Sequence, residues 1–132
     1  DRCRIQAVID AFHQLEGRTL LCVTHDLRLA KSIADNIVVM YASQQIESGS
    51  GRDFFAQPLH PYSAAMLSAL PENGLQANMG FAPPRLDARA QCACHFLDRC
   101  PYKIERCAQM PPLFEVPGGR KVRCWKYADS AR

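Results

Sequence analysis

The cysteines near the end of the chain are the residues whose type and spacing most clearly allow chemistry. The 132-residue sequence contains seven cysteines. The pattern Cys94-x5-Cys100-x6-Cys107-x16-Cys124 puts four thiolates into a segment with too few apolar residues for a core of its own. Four cysteines suit either a zinc ion or a [4Fe–4S] cluster. The intervals exceed the roughly two to four residues usual between paired zinc-finger ligands, which favours the cluster.

The charge of this segment also suits a cluster. From Cys94 to Lys126 there are seven Lys or Arg and three Asp or Glu, an excess of four positive charges. This excess would offset the negative charge of a cubane held by four thiolates. The basic residues lack a recognisable helix or aromatic platform, so we expect no nucleic-acid partner. A solvated face or a neutralising shell is the favoured interpretation of Arg120, Lys121, Arg123 and Lys126.

His25 is the second candidate for chemistry. It follows a short apolar run at 19–23 and precedes a helix that Asp26 can cap. In parallel α/β sheets, ligands gather at the carboxyl ends of strands. A neutral imidazole there can contact a phosphate oxygen or an attacking water. On position alone, a partly buried structural histidine is the simpler interpretation.

The elements predicted around these residues form an α/β layer. Apolar periodicity predicts a helix at 5–15, a helix after Asp26 and a helix opening at Pro61, with His60 near its N-cap. Strands are predicted at 19–23, 37–41 and 46–48, and a short helix at 52–57. The alternation of helix and strand predicts parallel strands. The strand at 46–48 is the weakest of the three. Because the two well-marked strands cannot make a stable parallel sheet by themselves, we interpret this piece as the end of a larger sheet.

Composition divides the chain into residues 1–71, a linker over 72–91 and a Cys-rich extension over 92–132. The net charge of +3 indicates no particular partner. The first residues lack the apolar core of a signal peptide, so a cytosolic protein is expected. Disulfides are uncommon in that compartment, which favours metal ligation in the extension. Cys3 and Cys22 are interpreted as small buried hydrophobic residues.

Three segments resemble the ATP-binding subunits of ABC importers of the oligopeptide/dipeptide/nickel type. Residues 20–27, followed by 33–35 and 38–41, resemble the switch region of ABC ATPases, and Glu47 and Gly49 fit the E-x-G that follows it. Residues 54–63, FFAQPLHPYS, resemble the P-x-H-P-Y-[ST] signature of this importer branch. Residues 94–102 and 122–125 resemble its C-terminal extension, which carries four cysteines.

The resemblance implies specific roles. The fold would be the C-terminal part of an ABC-type, RecA-like ATPase domain with parallel strands, followed by a small irregular extension stabilised by metal. His25 matches the switch histidine that senses the ATP γ-phosphate and helps to position the attacking water, and Asp1 matches the D-loop aspartate. The family's [4Fe–4S] ligands fall on Cys94, Cys100, Cys107 and Cys124, with zinc as the alternative metal. Cys92 competes with Cys94 for the first ligand position, and His95 does so less strongly.

The implied function is to energise ABC-type import of peptides or a related small solute. The full-length subunit would use ATP and Mg²⁺ at the cytoplasmic face of the membrane. Its partners would be a second ATP-binding subunit, membrane permease subunits and, indirectly, an extracytoplasmic solute-binding protein. The printed sequence has no G-x-x-x-x-G-K-[ST] phosphate loop, signature motif or Walker B carboxylates, so this chain alone is predicted to be inactive. The alternative is a stand-alone zinc or iron–sulfur binding or sensing module.

Overall fold

The computed structural model describes residues 2–15, 17–70 and 92–129. The chain divides into two compact units, residues 1–33 and 34–132. Asp1 and the predicted linker over 72–91 lie outside the described residues, so their assignments stay predictions.

The first unit contains helices α1 (Arg2–His13) and α2 (Leu27–Ile33). Asp26 caps α2 as expected, because its Oδ1 accepts from the amides of Arg28 and Leu29 at 3.0 and 3.2 Å. The strand predicted at 19–23 is absent, and Leu21 and Val23 are 88% and 93% exposed. That prediction is wrong for this structure because a buried strand needs neighbouring strands for its backbone groups, and the described part of this unit contains none. The prediction that Cys22 is buried is also wrong, because its side chain is exposed.

The second unit is built on a four-stranded sheet with the order β1-β2-β4-β3. Strands β1 (Asn36–Tyr41) and β2 (Gln44–Ser50) precede β3 (Phe114–Val116) and β4 (Arg120–Val122). Every pair in this sheet is antiparallel, so the predicted parallel arrangement is wrong. The reason is the connection between β1 and β2. Ala42 and Ser43 form a two-residue turn with φ of 45° and 62°, and so short a loop can join only antiparallel neighbours.

The cysteine-rich segment completes this sheet. Strand β4 pairs with β2, with Glu47 opposite Val122 and Ser48 opposite Lys121. Strand β3 then pairs with the outer edge of β4. A β-bulge between Val39 and Met40 shifts the register of the β1–β2 hairpin. Residues 92–129 are therefore fastened to residues 34–70 by backbone hydrogen bonds.

The core of this unit combines side chains from both segments. Helices α3 (Gly51–Ala56) and α4 (Pro61–Ser68) follow β2. Phe96 is 3% exposed and forms an aromatic cluster with Tyr41 and Tyr62, with ring centroids 5.6 and 5.7 Å away. Val122 is completely buried. The extension is thus stabilised partly by the apolar side chains that it contributes to the shared core. Any metal that it binds would add to this stabilisation.

Across the described ranges, none of the helices combines the length and the apolar character needed to cross a bilayer.

Candidate functional site

The four cysteines expected to bind metal line one cavity of about 140 Å³ in the second unit. The wall is completed by apolar and aromatic side chains and by His60 and Lys126. Cys107 is buried, and the other three thiols are partly exposed. Residues that are as many as 30 positions apart in sequence, from Cys94 to Cys124, are therefore brought to a single place in the fold.

Short turns present the four thiols. The amide of Cys94 donates to the carbonyl of Cys107 at 3.0 Å, which joins two of the cysteine turns directly. Cys107 lies in a 3₁₀ turn at Glu105–Ala108. Cys124 directly precedes another 3₁₀ turn, Trp125–Tyr127. The four thiols thus come from separate short segments and line the same cavity.

Backbone amides are directed at three of the thiols. Each donor lies two residues after its cysteine: Phe96 for Cys94, Tyr102 for Cys100 and Lys126 for Cys124. These contacts lower the pKa of the thiols, because an N–H donor favours the thiolate. Burial opposes them and is the larger effect.

The balance raises the pKa of Cys94, Cys100 and Cys124, so these three thiols are protonated at neutral pH when no cation is bound. Burial raises the pKa of Cys94 to about 11, and repulsion from the other three thiols adds to the rise. The pKa of Cys100 and that of Cys124 are raised chiefly by burial as well. A cation among the thiols would reverse this preference, because thiolates are then paired with positive charge and protons are released on binding.

Neither competitor for the first ligand position lines this cavity. Cys92 is exposed, and its carbonyl accepts from the amide of Met110 at 2.7 Å. His95 lines a second, smaller cavity of about 10 Å³ behind Cys94. Among the described residues, no group of three or more His, Cys, Asp or Glu side chains is arranged to hold a metal ion.

His60 is the N-cap of α4 and also part of the cavity wall. Its Nδ1 accepts from the amide of Tyr62 at 3.0 Å, which agrees with the predicted structural role. Because Nδ1 is the acceptor, the proton of the neutral ring lies on Nε2. Burial lowers the pKa of His60 to about 4, and the Arg123 carbonyl opposes this only in part.

A buried ion pair fixes the loop before His60. Glu47 is 1% exposed, and its Oε1 contacts Nη2 of Arg120 at 2.9 Å. The same carboxylate accepts from the amides of Leu59 and His60 at 2.8 and 2.9 Å. Arg120 also donates to the carbonyl of Gln57 at 2.7 Å. The pair therefore joins β2, β4 and the loop that leads into α4.

The role of Arg120 is one that the sequence did not reveal. Its charge was attributed to a solvated face or a shell around a cluster, whereas it is 7% exposed and paired with Glu47. The E-x-G motif contained an indication of this pairing. A Cβ at Gly49 would lie 2.8 Å from Cγ of Arg120, so the glycine makes room for the side chain that the glutamate binds. Arg123 is likewise engaged, donating to the carbonyls of Gln45 and Pro111.

His25, which is expected to act on nucleotide, belongs to the first unit. His25 is exposed and stands in the irregular segment that leads to α2 in the first unit. Thr24 shapes its surroundings by accepting from the amide of Asp26 at 3.0 Å. Asp1 is not among the described residues, so its assignment as the D-loop aspartate stays a prediction.

Comparison with known proteins connects these features to a transport family. Residues 46–107 match the model of the oligopeptide/dipeptide transporter C-terminal region. The matched segment contains Glu47, His60 and three of the four cavity cysteines.

Relatives with curated names agree with this match. The chain is 36% identical to the dipeptide transport ATP-binding protein DppD of Haemophilus influenzae, over 93% of this chain and 38% of that protein. It is 35% identical to the oligopeptide transport ATP-binding protein OppD of Escherichia coli, over 95% of this chain and 38% of that protein. OppD is thus matched over little more than a third of its length. Together the comparisons show that the chain is similar to the oligopeptide/dipeptide transporter C-terminal region and to ATP-binding proteins of dipeptide and oligopeptide transport.

Proposed function

We propose that the chain acts as part of the ATP-hydrolysing subunit of an ABC importer for peptides or a related small solute. The observation that carries the proposal is its similarity, over more than nine-tenths of its length, to ATP-binding proteins of dipeptide and oligopeptide transport. The stand-alone sensing module is not favoured, because such a module would need none of the first seventy residues. A complementation test can decide the assignment. The full-length subunit that would contain this chain is introduced into a strain that lacks its own subunit. It should restore peptide-dependent growth.

In the complete subunit, ATP and Mg²⁺ would be held by phosphate-loop and Walker B residues of a kind that the printed sequence lacks. A second ATP-binding subunit and the membrane permease would be direct partners, at the cytoplasmic face of the membrane. An extracytoplasmic solute-binding protein would deliver the substrate. Within that assembly, His25 is assigned the switch role at the γ-phosphate, and Asp1 is assigned the D-loop position.

The cavity thiols are proposed to hold a [4Fe–4S] cluster. Zinc requires all four ligands at about 2.3 Å from one atom. A cubane instead takes one thiolate on each of four separate irons, so its ligands surround a volume. The cavity volume of about 140 Å³ supports a cluster over a single zinc ion. This volume is about ten times the roughly 10–15 Å³ that a single water molecule requires. The amides that point at Cys94, Cys100 and Cys124 are suited to stabilising bound thiolates.

We assign the cluster a structural role. Four ligands on separate turns would become cross-linked through one group, which restricts the unfolded chain much as a structural metal does. The cluster would add to the support that strand β4 and Phe96 already give this segment.

Changing the ligands singly should identify them. Cys94→Ser, Cys100→Ser, Cys107→Ser and Cys124→Ser are each expected to abolish the iron of anaerobically prepared protein, because each thiol would bind one iron. The unchanged protein should carry about four irons per chain, with broad absorbance near about 400 nm. Cys92→Ser is the matched control and should keep the iron, since Cys92 is exposed and does not line the cavity. Stoichiometric zinc without iron would refute the cluster, and loss of metal in the control alone would move the first ligand to Cys92.

The 132-residue chain by itself is expected to show no ATP hydrolysis and only weak affinity for nucleotide. The sequence has no phosphate loop to hold the phosphates and Mg²⁺. Phosphate release should therefore match that of a His25→Ala control within the error of a coupled assay. Hydrolysis clearly above that control would contradict the proposed division of labour.

A further inference from the structure

The two sequence neighbours of Cys124 both bind one other stretch of backbone. Arg123 donates from Nη1 to the carbonyl of Pro111 at 3.1 Å. Trp125 donates from Nε1 to the carbonyl of Gln109 at 2.9 Å. Cys124 is therefore flanked by two hydrogen bonds, one on each side, that end on residues only two positions apart.

The stretch that accepts these bonds is itself joined to other cavity cysteines. Cys107 lies in the 3₁₀ turn directly before Gln109, and its carbonyl accepts from the amide of Cys94 at 3.0 Å. The amide of Met110 donates to the carbonyl of Cys92 at 2.7 Å. The flanking bonds thus connect the fourth cavity cysteine to backbone that already joins the first and the third.

Arg123 is anchored to strand β2 as well. Its amide donates to the carbonyl of Ile46 at 2.8 Å, and its Nε donates to the carbonyl of Gln45 at 2.9 Å. The two side-chain bonds leave from different nitrogens of one rigid plane, an arrangement that the single ammonium of lysine does not reproduce. Because both side-chain acceptors are main-chain carbonyls, these contacts fix where the backbone lies.

Neighbouring side chains hold the indole of Trp125. The guanidinium carbon of Arg106 lies 3.9 Å from the centroid of the indole ring, and the ring of Phe114 lies 5.7 Å away. Trp125 also lines the cavity. These contacts restrict the plane of the indole and so direct Nε1 to the carbonyl of Gln109.

We propose that Arg123 and Trp125 are positioning residues for the four-cysteine centre, which hold Cys124 at the cavity from both sides. The inference rests on the proposed cluster and deepens it by assigning the residues that orient one ligand. A ligand whose flanking residues are already tied down loses less conformational entropy when it binds. The alternative for Arg123 is that it acts only through its charge, as part of the neutralising shell expected from the sequence.

Two substitutions remove the flanking bonds while keeping most of each side chain. Arg123→Lys keeps the positive charge but loses the two-point guanidinium contact. Trp125→Phe keeps an aromatic ring in the cavity wall but has no N–H donor. Each variant should release iron to the chelator bathophenanthroline, under anaerobic conditions, roughly tenfold or more faster than the unchanged protein, in line with the loss typical of supporting contacts at metal sites.

Lys121→Gln is the matched control for charge. Lys121 lies two residues before Arg123, and its ammonium contacts the exposed Glu115 at 3.0 Å. The change removes a positive charge and should leave the rate of iron release unaltered. Equal rates for Arg123→Lys and Lys121→Gln, whether slow or fast, would overturn the role of Arg123. An unaltered rate in Trp125→Phe would overturn the hold from the second side.

A second readout separates the positioning role from the cluster and from general loosening. In reduced, metal-free protein, the thiol of Cys124 should react faster with iodoacetamide in both variants, because its backbone is released more often. Cys100 lies on a separate turn and gives the reference rate within the same chain. Mass spectrometry of the labelled peptides gives the ratio of the two rates. If the unchanged protein takes up no iron, the proposed cluster fails and this ratio alone decides the positioning role. A Cys124-to-Cys100 ratio equal to that of the unchanged protein would overturn it, because the variants would then have no effect or would loosen the whole unit.

Discussion

Replacing Glu47 with alanine is expected to destabilise the protein by about 3–5 kcal/mol, the range for removing one partner of a buried ion pair. Arg120 would be left charged in a site where its side chain is 9% exposed. The amides of Leu59 and His60 would lose their acceptor at the same time. The free energy of unfolding can be measured by urea denaturation. Trp125, the single tryptophan, reports from the same unit through its fluorescence.

The matched control is the exposed ion pair on the same sheet. Glu115 lies 3.0 Å from Lys121, with side chains 77% and 45% exposed. Exposed pairs of this kind contribute less than about 1 kcal/mol, so Glu115→Ala should leave the unfolding midpoint nearly unchanged. Similar small losses for both variants would show that water reaches the Glu47 site. In that case the Glu47–Arg120 ion pair would not be what holds β2, β4 and the loop before α4 together.

The sequence predicted those features of the second unit that depend on neighbouring residues. Pro61 after His60 located the start of α4, because proline favours the first helical turn. The apolar run at 37–41 located β1, since a run of that length and composition fits a strand. Each of these signals lies within a few residues of the element that it predicts.

Strand direction and long-range pairing could not be obtained in this way. The alternation of helix and strand favoured parallel strands, but the turn at Ala42 and Ser43 determines the direction by bringing β2 straight back. The partner of Glu47 lies 73 positions along the chain, beyond any local pattern. A motif such as E-x-G records that a glycine is needed, and only the fold identifies Arg120 as the side chain that occupies the space.

The grouping of the four cysteines could be expected from the sequence, and their role as metal ligands stays a prediction. The cysteine spacing and the resemblance to the importer family together singled out the four residues that line the cavity. The supporting contacts were missed for a physical reason. The amides that point at the thiols are backbone groups, and every residue type except proline carries one.

In the complete subunit, His25→Ala is expected to lower the turnover of ATP by about 10²- to 10⁴-fold, the range for losing a group that assists proton transfer or water positioning in the transition state. Nucleotide affinity should change little, because such a group contributes mainly after ATP has bound. Because His25 is exposed in its unit, replacing its side chain with that of alanine should change the free energy of unfolding little. A coupled ATPase assay gives turnover, and equilibrium binding of a fluorescent nucleotide gives affinity.

Cys22→Ala provides the control from the same segment, because Cys22 is also exposed and its thiol is given no role at the nucleotide. It should retain both turnover and affinity. A His25→Ala subunit that binds ATP weakly but turns it over at the normal rate would assign the imidazole to ground-state binding, contrary to the proposed role. A loss of turnover shared by both variants would instead point to the folding of the segment over 17–26. Only a selective loss in His25→Ala, with affinity kept, supports an imidazole that acts on the attacking water at the γ-phosphate.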